Sequence, residues 1–231
     1  MLGSADATAY DLRFRLFGVA VRVNPWFWLV MLMIAGRREE LRDTLIFVGC
    51  AFVSILVHEF GHGLSGRFLG HEPNEIVLYG FGGYCSFLSW PWKAWRQIVI
   101  LFCGPAAGFL LLGLVILGVE LAARNDSAAE ALRSPVAMVI FFDLAWINLV
   151  WGILNLFPIW PLDGGRITEV LLTSWTPDNG KRWTHVISLL TAGTLSLWRF
   201  TSGDLSGIWF ALFAIMNYQV LQAMHQGYHS Y

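Results

Sequence analysis

Two histidines and a glutamate in one apolar segment have the clearest chemical potential in this chain. His58, Glu59 and His62 form the sequence HEFGH, which fits the pattern H-E-x-x-H. On a helix, residues four positions apart lie on one face about one turn from each other, so both imidazoles can reach one metal ion. Glu59 stands beside them in the position of a general base. The spacing therefore predicts a catalytic metal site.

The segment that carries these residues has the character of a membrane-spanning helix. Leu45–Val57 carries no charge, and Thr44–Leu69 is long enough to cross a bilayer, which takes about 20 apolar residues. Imidazoles and carboxylates are costly in hydrocarbon and mark a functional site there by default. If the two histidines only bound neighbouring carbonyls, three costly groups in one membrane helix would remain unexplained.

Three glycines leave one side of this predicted helix thin. Gly61, Gly63 and Gly66 follow the motif at short intervals. Small residues let another backbone approach a membrane helix closely. The thin side therefore suits either a substrate or ordinary helix packing, and both interpretations stay open.

A second unusual stretch, Asn155–Arg166 (NLFPIWPLDGGR), supplies a candidate for a further metal ligand. A catalytic tetrahedral zinc uses three protein ligands and keeps the fourth position for water. The two prolines of this stretch cannot continue a helix, so they end the preceding span and give Asp163 an extended course. Gly164 and Gly165 then allow a tight turn. Asp163 could instead cap a short amphipathic helix at Arg166–Ser174; next to the histidine pair we favour the ligand.

The composition is that of a membrane protein. Of 231 residues, 56% are hydrophobic and only 13% are charged, whereas soluble domains carry about a quarter charged residues. The net charge of -1 gives no reason to expect a nucleic-acid partner. Apolar stretches with few or no charges predict an all-α polytopic membrane protein with about six transmembrane helices in the lipid bilayer. These predicted spans are Val23–Gly36, Thr44–Leu69, Gln97–Val119, Pro135–Phe157, Trp183–Trp198 and Leu205–Met224.

The charges between the spans predict an orientation. With the N-terminus inside, nine of the fifteen Lys and Arg residues fall on the inner side and six on the outer side. Lys and Arg are enriched in cytoplasmic loops. We therefore predict a multi-pass protein of the cell membrane with both termini in the cytoplasm.

The pairing of the two motifs resembles the site-2 protease family of intramembrane zinc metallopeptidases. HEFGH in an early apolar helix is followed about 100 residues later by N-x-x-P-x-x-P-L-D-G-G-R. Three shorter stretches look similar as well: N-P-W at Asn24–Trp26, F-G-G at Phe81–Gly83 and G-P-A-A-G at Gly104–Gly108. The resemblance extends from about residue 13 to about residue 175.

The resemblance implies a ligand set and a reaction. His58, His62 and Asp163 would bind one Zn²⁺ per chain, and Glu59 would be the catalytic base. Asn155 falls on the family's motif asparagine near the active site, where it would steady the substrate or the oxyanion. The implied function is hydrolysis of peptide bonds of transmembrane protein substrates within the membrane.

The chain departs from the family pattern at Gly108, where many relatives have Asn. We expect one membrane metalloprotease domain over residues 1–231 with no appended PDZ or CBS module. Substrate recognition would then reside in the membrane core or in a separate adaptor or regulatory partner. Two other functions remain to be weighed: a non-catalytic scaffold or chaperone-like homologue, and a metal transporter whose intramembrane His, Glu and Asp form a pathway.

One stretch outside the helices predicts how a substrate is held. Asn74–Leu88 (NEIVLYGFGGYCSFL) contains two short β-prone runs, which predict a β-hairpin between the second and third spans. An exposed strand edge can pair with an unwound substrate segment. We therefore expect the hairpin beside the site, with Gly82 and Gly83 among the substrate-binding residues; a purely structural loop is the alternative.

Two isolated polar residues leave less to infer. Asp143 is a lone carboxylate in the fourth predicted span, and it would either lie in a water path or bond a neighbouring helix. His185 has no helical partner that resembles a ligand, and we expect it at the membrane interface.

Overall fold

The chain is mostly helical and carries one small sheet. The computed structural model describes residues 6–36, 38, 40–80 and 82–228. Arg37 and Phe81, which entered the orientation and motif predictions, lie outside these residues. The helices are α1 (Pro25–Ala35), α2 (Leu41–Phe68), α3 (Ala94–Ala122), α4 (Asp126–Leu132), α5 (Pro135–Trp146), α6 (Gly152–Asn155), α7 (Asp163–Trp175), α8 (Gly180–Thr201) and α9 (Gly207–Tyr228). A π-helical turn, Ile147–Trp151, joins α5 to α6.

Four helical segments are long and apolar enough to cross a membrane. They are Leu41–Phe68, Ala94–Ala122, Pro135–Asn155 and Gly207–Gln226. The other two predicted spans are helical but fall short of this standard. The first, α1, has only 11 residues, and α8 buries a polar stripe instead of being apolar all round. Among the described residues the structure therefore supports four spans, and the predicted number of six is not confirmed.

The sheet is larger than the predicted hairpin. Its strands lie in the order β1 (Leu12–Leu16), β2 (Val19–Val23), β3 (Pro73–Tyr79) and β4 (Gly82–Phe87). β1 pairs antiparallel with β2, β2 parallel with β3, and β3 antiparallel with β4. The prediction of an all-α protein with one hairpin is thus corrected, because it missed β1 and β2.

A tight turn explains the two missed strands. Leu16 pairs with Val19, and the two residues between them, Phe17 and Gly18, both have positive φ, at 49° and 77°. Two central residues with positive φ make the hairpin turn that matches the twist of paired strands. The alternating sequences LRFRL and VAVRV are the period-two pattern of half-buried strands.

The described residues divide into two units. The first comprises the chain up to Trp90 together with Cys103–Ile153, and the second comprises Pro91–Phe102 and the chain from Leu154 onward. The core of the first unit lies where the sheet, α1 and α2 meet. Its fully buried side chains include Val21, Val23, Phe27, Ile55, Ile76 and Leu78. The expectation of one domain stays a prediction.

In the second unit, α8 packs against α7 and α9. The buried side of α8 carries small or polar residues about one turn apart: Gly180, Thr184, His185, Ser188, Ala192 and Ser196. The hydroxyl of Ser196 donates to the backbone oxygen of Gly207 at 3.0 Å, which ties α8 to the start of α9. The small residues let the neighbouring helices approach α8 closely, and the hydrogen bond links α8 to α9.

Candidate active site

The histidine pair of α2 is arranged as a metal chelate requires. His58 and His62 are both buried, and their Nε2 atoms lie 3.2 Å apart. With zinc–nitrogen bonds of about 2.0–2.1 Å, two ligands of a tetrahedral ion lie about 3.3–3.4 Å from each other. The i, i+4 spacing has therefore brought two imidazole nitrogens to the separation that one zinc ion needs, and this pair fits the metal.

A glycine of α3 keeps the space at these nitrogens open. A Cβ atom at Gly104 would lie 2.8 Å from the Nε2 atom of His58 and still closer to the His62 ring. Any side chain at this position would displace the imidazoles. The G-P-A-A-G stretch contained this glycine, but its contact with the histidines could not be predicted from the sequence.

The thin side of α2 is occupied by other parts of the first unit. A Cβ atom at Gly61 would lie 2.8 Å from the Cβ atom of Ala107 on α3. On the same helix, a Cβ atom at Gly66 would collide with the Phe87 ring of β4. These glycines therefore serve close packing, which was the second of the two interpretations left open.

Glu59 is buried and faces β4. A Cβ atom at Gly83 would lie 2.7 Å from both Cγ and Oε1 of Glu59. Gly82, with φ at +123°, lies instead beside Trp151, whose ring would be 3.2 Å from an added Cβ. The structure thus brings one of the two predicted β4 glycines to the candidate base.

The Cys85 thiol of β4 is influenced by the charge of this carboxylate. Burial, with the negative charge of Glu59 as a second cause, raises the pKa of the Cys85 thiol to about 12. The thiolate is the form that binds metals and attacks substrates. Burial and the charge of Glu59 therefore both favour the neutral form of the Cys85 thiol.

A small cavity borders His58 within the first unit. It is lined by Ser54, His58, Gly108, Ile147, Asn148, Trp151 and Gly152. The Asn148 amide, on the π-helical turn, donates to Ser54 Oγ at 2.9 Å and to the Leu144 backbone oxygen at 2.8 Å. Single π-helical turns inside α-helices often occur at functional sites. The π-helical turn thus places the Asn148 side chain in the lining of the cavity that borders the candidate ligand His58.

Asp143 forms an ion pair. Its two carboxylate oxygens accept from the Arg38 guanidinium at 2.9 and 2.8 Å, and the same guanidinium lies 4.8 Å from the centre of the Phe47 ring. Two parallel bonds of this kind fix both partners. Asp143 therefore bonds the connection between α1 and α2, and not a neighbouring helix as one of the two predictions had it.

The second unit contains the other two predicted site residues. Asp163 is buried and is the first residue of α7, and the cap position before it is held by Leu162. The alternative of a capping aspartate thus does not describe this helix start. Asn155 is the half-buried last residue of α6.

Gly164 and Gly165 have a different role from the predicted tight turn. They lie in the first turn of α7 and pack against the backbone of the segment before it. A Cβ atom at Gly165 would lie 2.5 Å from the backbone oxygen of Ile159. The helix start can approach the preceding segment this closely only because both side chains are absent.

Membrane-crossing helices with a buried H-E-x-x-H pair define this chain as an integral membrane metalloprotein. The sequence profile of Peptidase family M50 matches residues 46–132 and 119–197. The chain belongs to this family, that of the site-2 proteases, which confirms the resemblance inferred from its motifs.

Individual relatives agree with this placement. The chain is 30% identical over 180 residues to a Synechocystis protein whose name assigns it to the zinc metalloproteases, covering 72% of this chain and 45% of the relative. It is 27% identical over 168 residues to a zinc metalloprotease of Methanocaldococcus jannaschii, covering 71% of this chain and 46% of the relative. The matches thus span just under half the length of these relatives.

The fold has a solved counterpart. The structure of a site-2 protease from Methanocaldococcus jannaschii matches with a TM-score of 0.66 and 22% sequence identity, covering 92% of this chain and 95% of the other. At this level of identity the likeness shows the fold alone.

Proposed function

We propose that the chain is an intramembrane zinc metalloendopeptidase that hydrolyses peptide bonds of transmembrane protein substrates. The observation that carries the proposal is the 3.2 Å separation of two buried imidazole nitrogens, with a buried carboxylate next to them, on a helix of membrane-spanning length. The zinc metalloproteases among its relatives confirm the zinc that the sequence predicts. The retained Glu59 favours an enzyme, since metal binding alone needs no base.

His58, His62 and Asp163 are the proposed ligands. Two imidazoles leave a catalytic zinc one protein ligand short, and a buried carboxylate is an ordinary third ligand. Asp163 starts α7 and does not hold the cap position. A buried aspartate is otherwise a costly group, which supports a ligand role.

The proposed chemistry divides between the metal and Glu59. Zinc bound here would lower the pKa of a water toward 7 and polarise the scissile carbonyl. Glu59 takes the proton of the attacking water and returns it to the leaving amine, which is worth typically 10²–10⁴-fold. Because Gly83 has no side chain, the Glu59 carboxylate can lie directly against β4. Asn155 is proposed to steady the substrate or the oxyanion.

Strand β4 is the proposed docking site for the substrate backbone. Among the strands that the structure describes, β4 has a hydrogen-bonded neighbour on one side only, β3. An extended substrate that pairs with the other edge runs past Gly83, and Gly83 lies against Glu59. Gly82 and Gly83 then present bare backbone to the substrate.

The remaining proposals concern the setting of the enzyme. We place it in the cell membrane with both termini in the cytoplasm, on the Lys and Arg distribution. A separate adaptor or regulatory partner is proposed to select substrates, because β4 pairs with backbone and reads little of the side chains.

One experiment separates the enzyme from its two rivals. The purified protein and its Glu59→Gln variant are placed in liposomes with a transmembrane substrate, and cleavage and zinc flux are both measured. Cleavage by the unaltered chain alone supports the protease. Zinc flux without cleavage would establish a transporter, and bound zinc with neither activity would establish a scaffold.

A further inference from the structure

The backbone of Trp160, three residues before Asp163, is held on both sides by buried polar side chains. Its N–H donates to Ser188 Oγ at 2.9 Å, and its carbonyl oxygen accepts from Asn217 Nδ2 at 2.8 Å. Ser188 lies on α8 and Asn217 on α9. Buried backbone groups outside a helix or strand still need hydrogen-bond partners, and here two different helices supply them as side chains.

Asn217 is an unusual residue for its position. It is fully buried, with 0% of its surface exposed, inside a span that is otherwise apolar enough to cross a membrane. Its second amide hydrogen goes to the Phe213 backbone oxygen at 2.8 Å. A buried amide costs free energy unless its hydrogen bonds are made. The bond to Phe213 stays within α9. The bond to Trp160 is therefore the amide N–H bond that connects α9 to the segment before α7.

His185 holds the other end of the same amide. Its Nδ1 atom lies 2.7 Å from Asn217 Oδ1. Because both amide hydrogens of Asn217 are donated to carbonyls, Oδ1 can only accept, and Nδ1 of His185 carries the hydrogen. His185 is buried against Asn217, a partner that the sequence did not predict, and its location at the membrane interface stays a prediction. The sequence shows a polar residue in each of two neighbouring segments, but the 32-residue separation of His185 and Asn217 gives no indication that the two form a pair.

Ser188 completes the attachment. Besides accepting from Trp160, its hydroxyl donates to the Pro158 backbone oxygen at 3.3 Å. Two backbone carbonyls and one N–H of the segment Pro158–Trp160 are thus bonded by α8 and α9. The segment then enters α7, whose glycines pack back against it.

We propose that Asn217 and Ser188, with His185 behind Asn217, are positioning residues for the metal ligand Asp163. The inference rests on the proposed function, in which Asp163 binds zinc. Groups that orient metal ligands commonly affect metal affinity by about 10–100-fold although they never touch the ion. The hydrogen bonds to Pro158 and Trp160 fix the backbone just before α7, and this fixes the orientation of Asp163 at the start of that helix.

The test measures zinc affinity of the full chain in detergent, by competition with a chelator, together with the absorption spectrum of the cobalt-substituted protein. Asn217→Ala and Ser188→Ala should each weaken zinc binding about 10–100-fold and alter the cobalt spectrum. Ser196→Ala is the matched control, because it also removes a buried α8 hydroxyl with a bond to backbone, but at Gly207. It should lower thermal stability at most and leave zinc affinity unchanged.

His185 provides the second line of the test should Asn217→Ala fail to fold. His185→Ala should weaken zinc binding, and His185→Gln should restore much of it because its amide N–H can donate to Asn217 Oδ1. The inference is overturned if these variants and Ser188→Ala bind zinc like the unaltered chain. It is also overturned if Ser196→Ala weakens binding equally.

Asp163→Ala distinguishes this inference from the proposal beneath it. If that variant loses zinc affinity while the Asn217 and Ser188 variants keep it, only the positioning role falls. If Asp163→Ala keeps full zinc affinity, the assignment of the third ligand is wrong and the positioning role falls with it.

Discussion

Gly83 of β4 lies directly against the side chain of Glu59, where an added Cβ would come within 2.7 Å of the carboxylate oxygen Oε1. A sheet residue without a side chain thus limits where the candidate base can be. The same contact makes the base sensitive to a change at a position that has no functional group.

Gly83→Ala should therefore reduce cleavage by about 10²-fold or more, at the low end of what a general base contributes, while zinc stays bound. The added methyl group would push the carboxylate from its place. Gly118→Ala is the control, because nothing lies within 4 Å of its Cβ position on α3. Cleavage rates and bound zinc are measured for both variants. If Gly83→Ala cleaves as fast as Gly118→Ala, Gly83 does not limit the position of Glu59.

Glu59→Gln should retain zinc and lose cleavage by about 10²–10⁴-fold. The amide keeps the shape of the side chain but cannot take a proton from water. Zinc content and cleavage of one transmembrane substrate are measured side by side. Near-normal cleavage by this variant would be incompatible with the proposed mechanism.

The metal should be present at one zinc per chain and be essential. His58→Ala, His62→Ala and Asp163→Ala should each lower occupancy, because a tetrahedral site with one open position depends on all three ligands. A chelator should abolish cleavage and added zinc should restore it. Elemental analysis of the purified variants checks the occupancy, and full activity of the chelated protein would contradict the prediction.

The Arg38–Asp143 pair should contribute to stability. Asp143→Asn leaves a partly buried guanidinium without its charge partner; removing one member of a buried pair costs about 3–5 kcal/mol, and less here since Arg38 is 27% exposed. Asp204→Asn, at the more exposed Arg199 pair, should cost less than Asp143→Asn, because solvent screens exposed ion pairs. Thermal unfolding in detergent compares the two variants, and equal losses would refute the difference.

The edge of β4 that faces away from β3 should be required for cleavage. Neighbouring residues of a strand point their N–H groups to opposite sides. Of Tyr84 and Cys85, one therefore points its N–H toward β3 and the other toward the opposite edge, and a proline removes that N–H. The proline that breaks the pairing with β3 should damage the fold, so the variant that keeps its fold and its zinc is the one altered at the opposite edge. That variant should cleave poorly. Alanine at the same position is the control. Equal cleavage by the proline and alanine variants would show that the substrate does not pair there.

Local spacing could predict the centre of the site but not its surroundings. His58, Glu59 and His62 lie within five residues, so helix geometry alone places the two imidazoles together. Arg38 and Asp143 are 105 residues apart, and His185 and Asn217 are 32 apart. Such pairs depend on how the helices pack, which periodicity does not specify. The alternation of apolar and polar residues in β1 and β2 is a strand pattern, so the sequence contains enough to predict the four-stranded sheet. Both strands have only five residues, which makes that pattern weak.

The parallel pairing of β2 with β3 has a consequence for biogenesis. Ala20 pairs with Glu75, and both α1 and α2 lie between them in the chain. Parallel strands need a long crossover connection, and here the crossover contains the helix with His58 and His62. During synthesis the β1–β2 hairpin can form early, but β3 can join it only after the whole crossover has left the ribosome. The histidine helix has therefore left the ribosome before the sheet that lies against Glu59 can be complete.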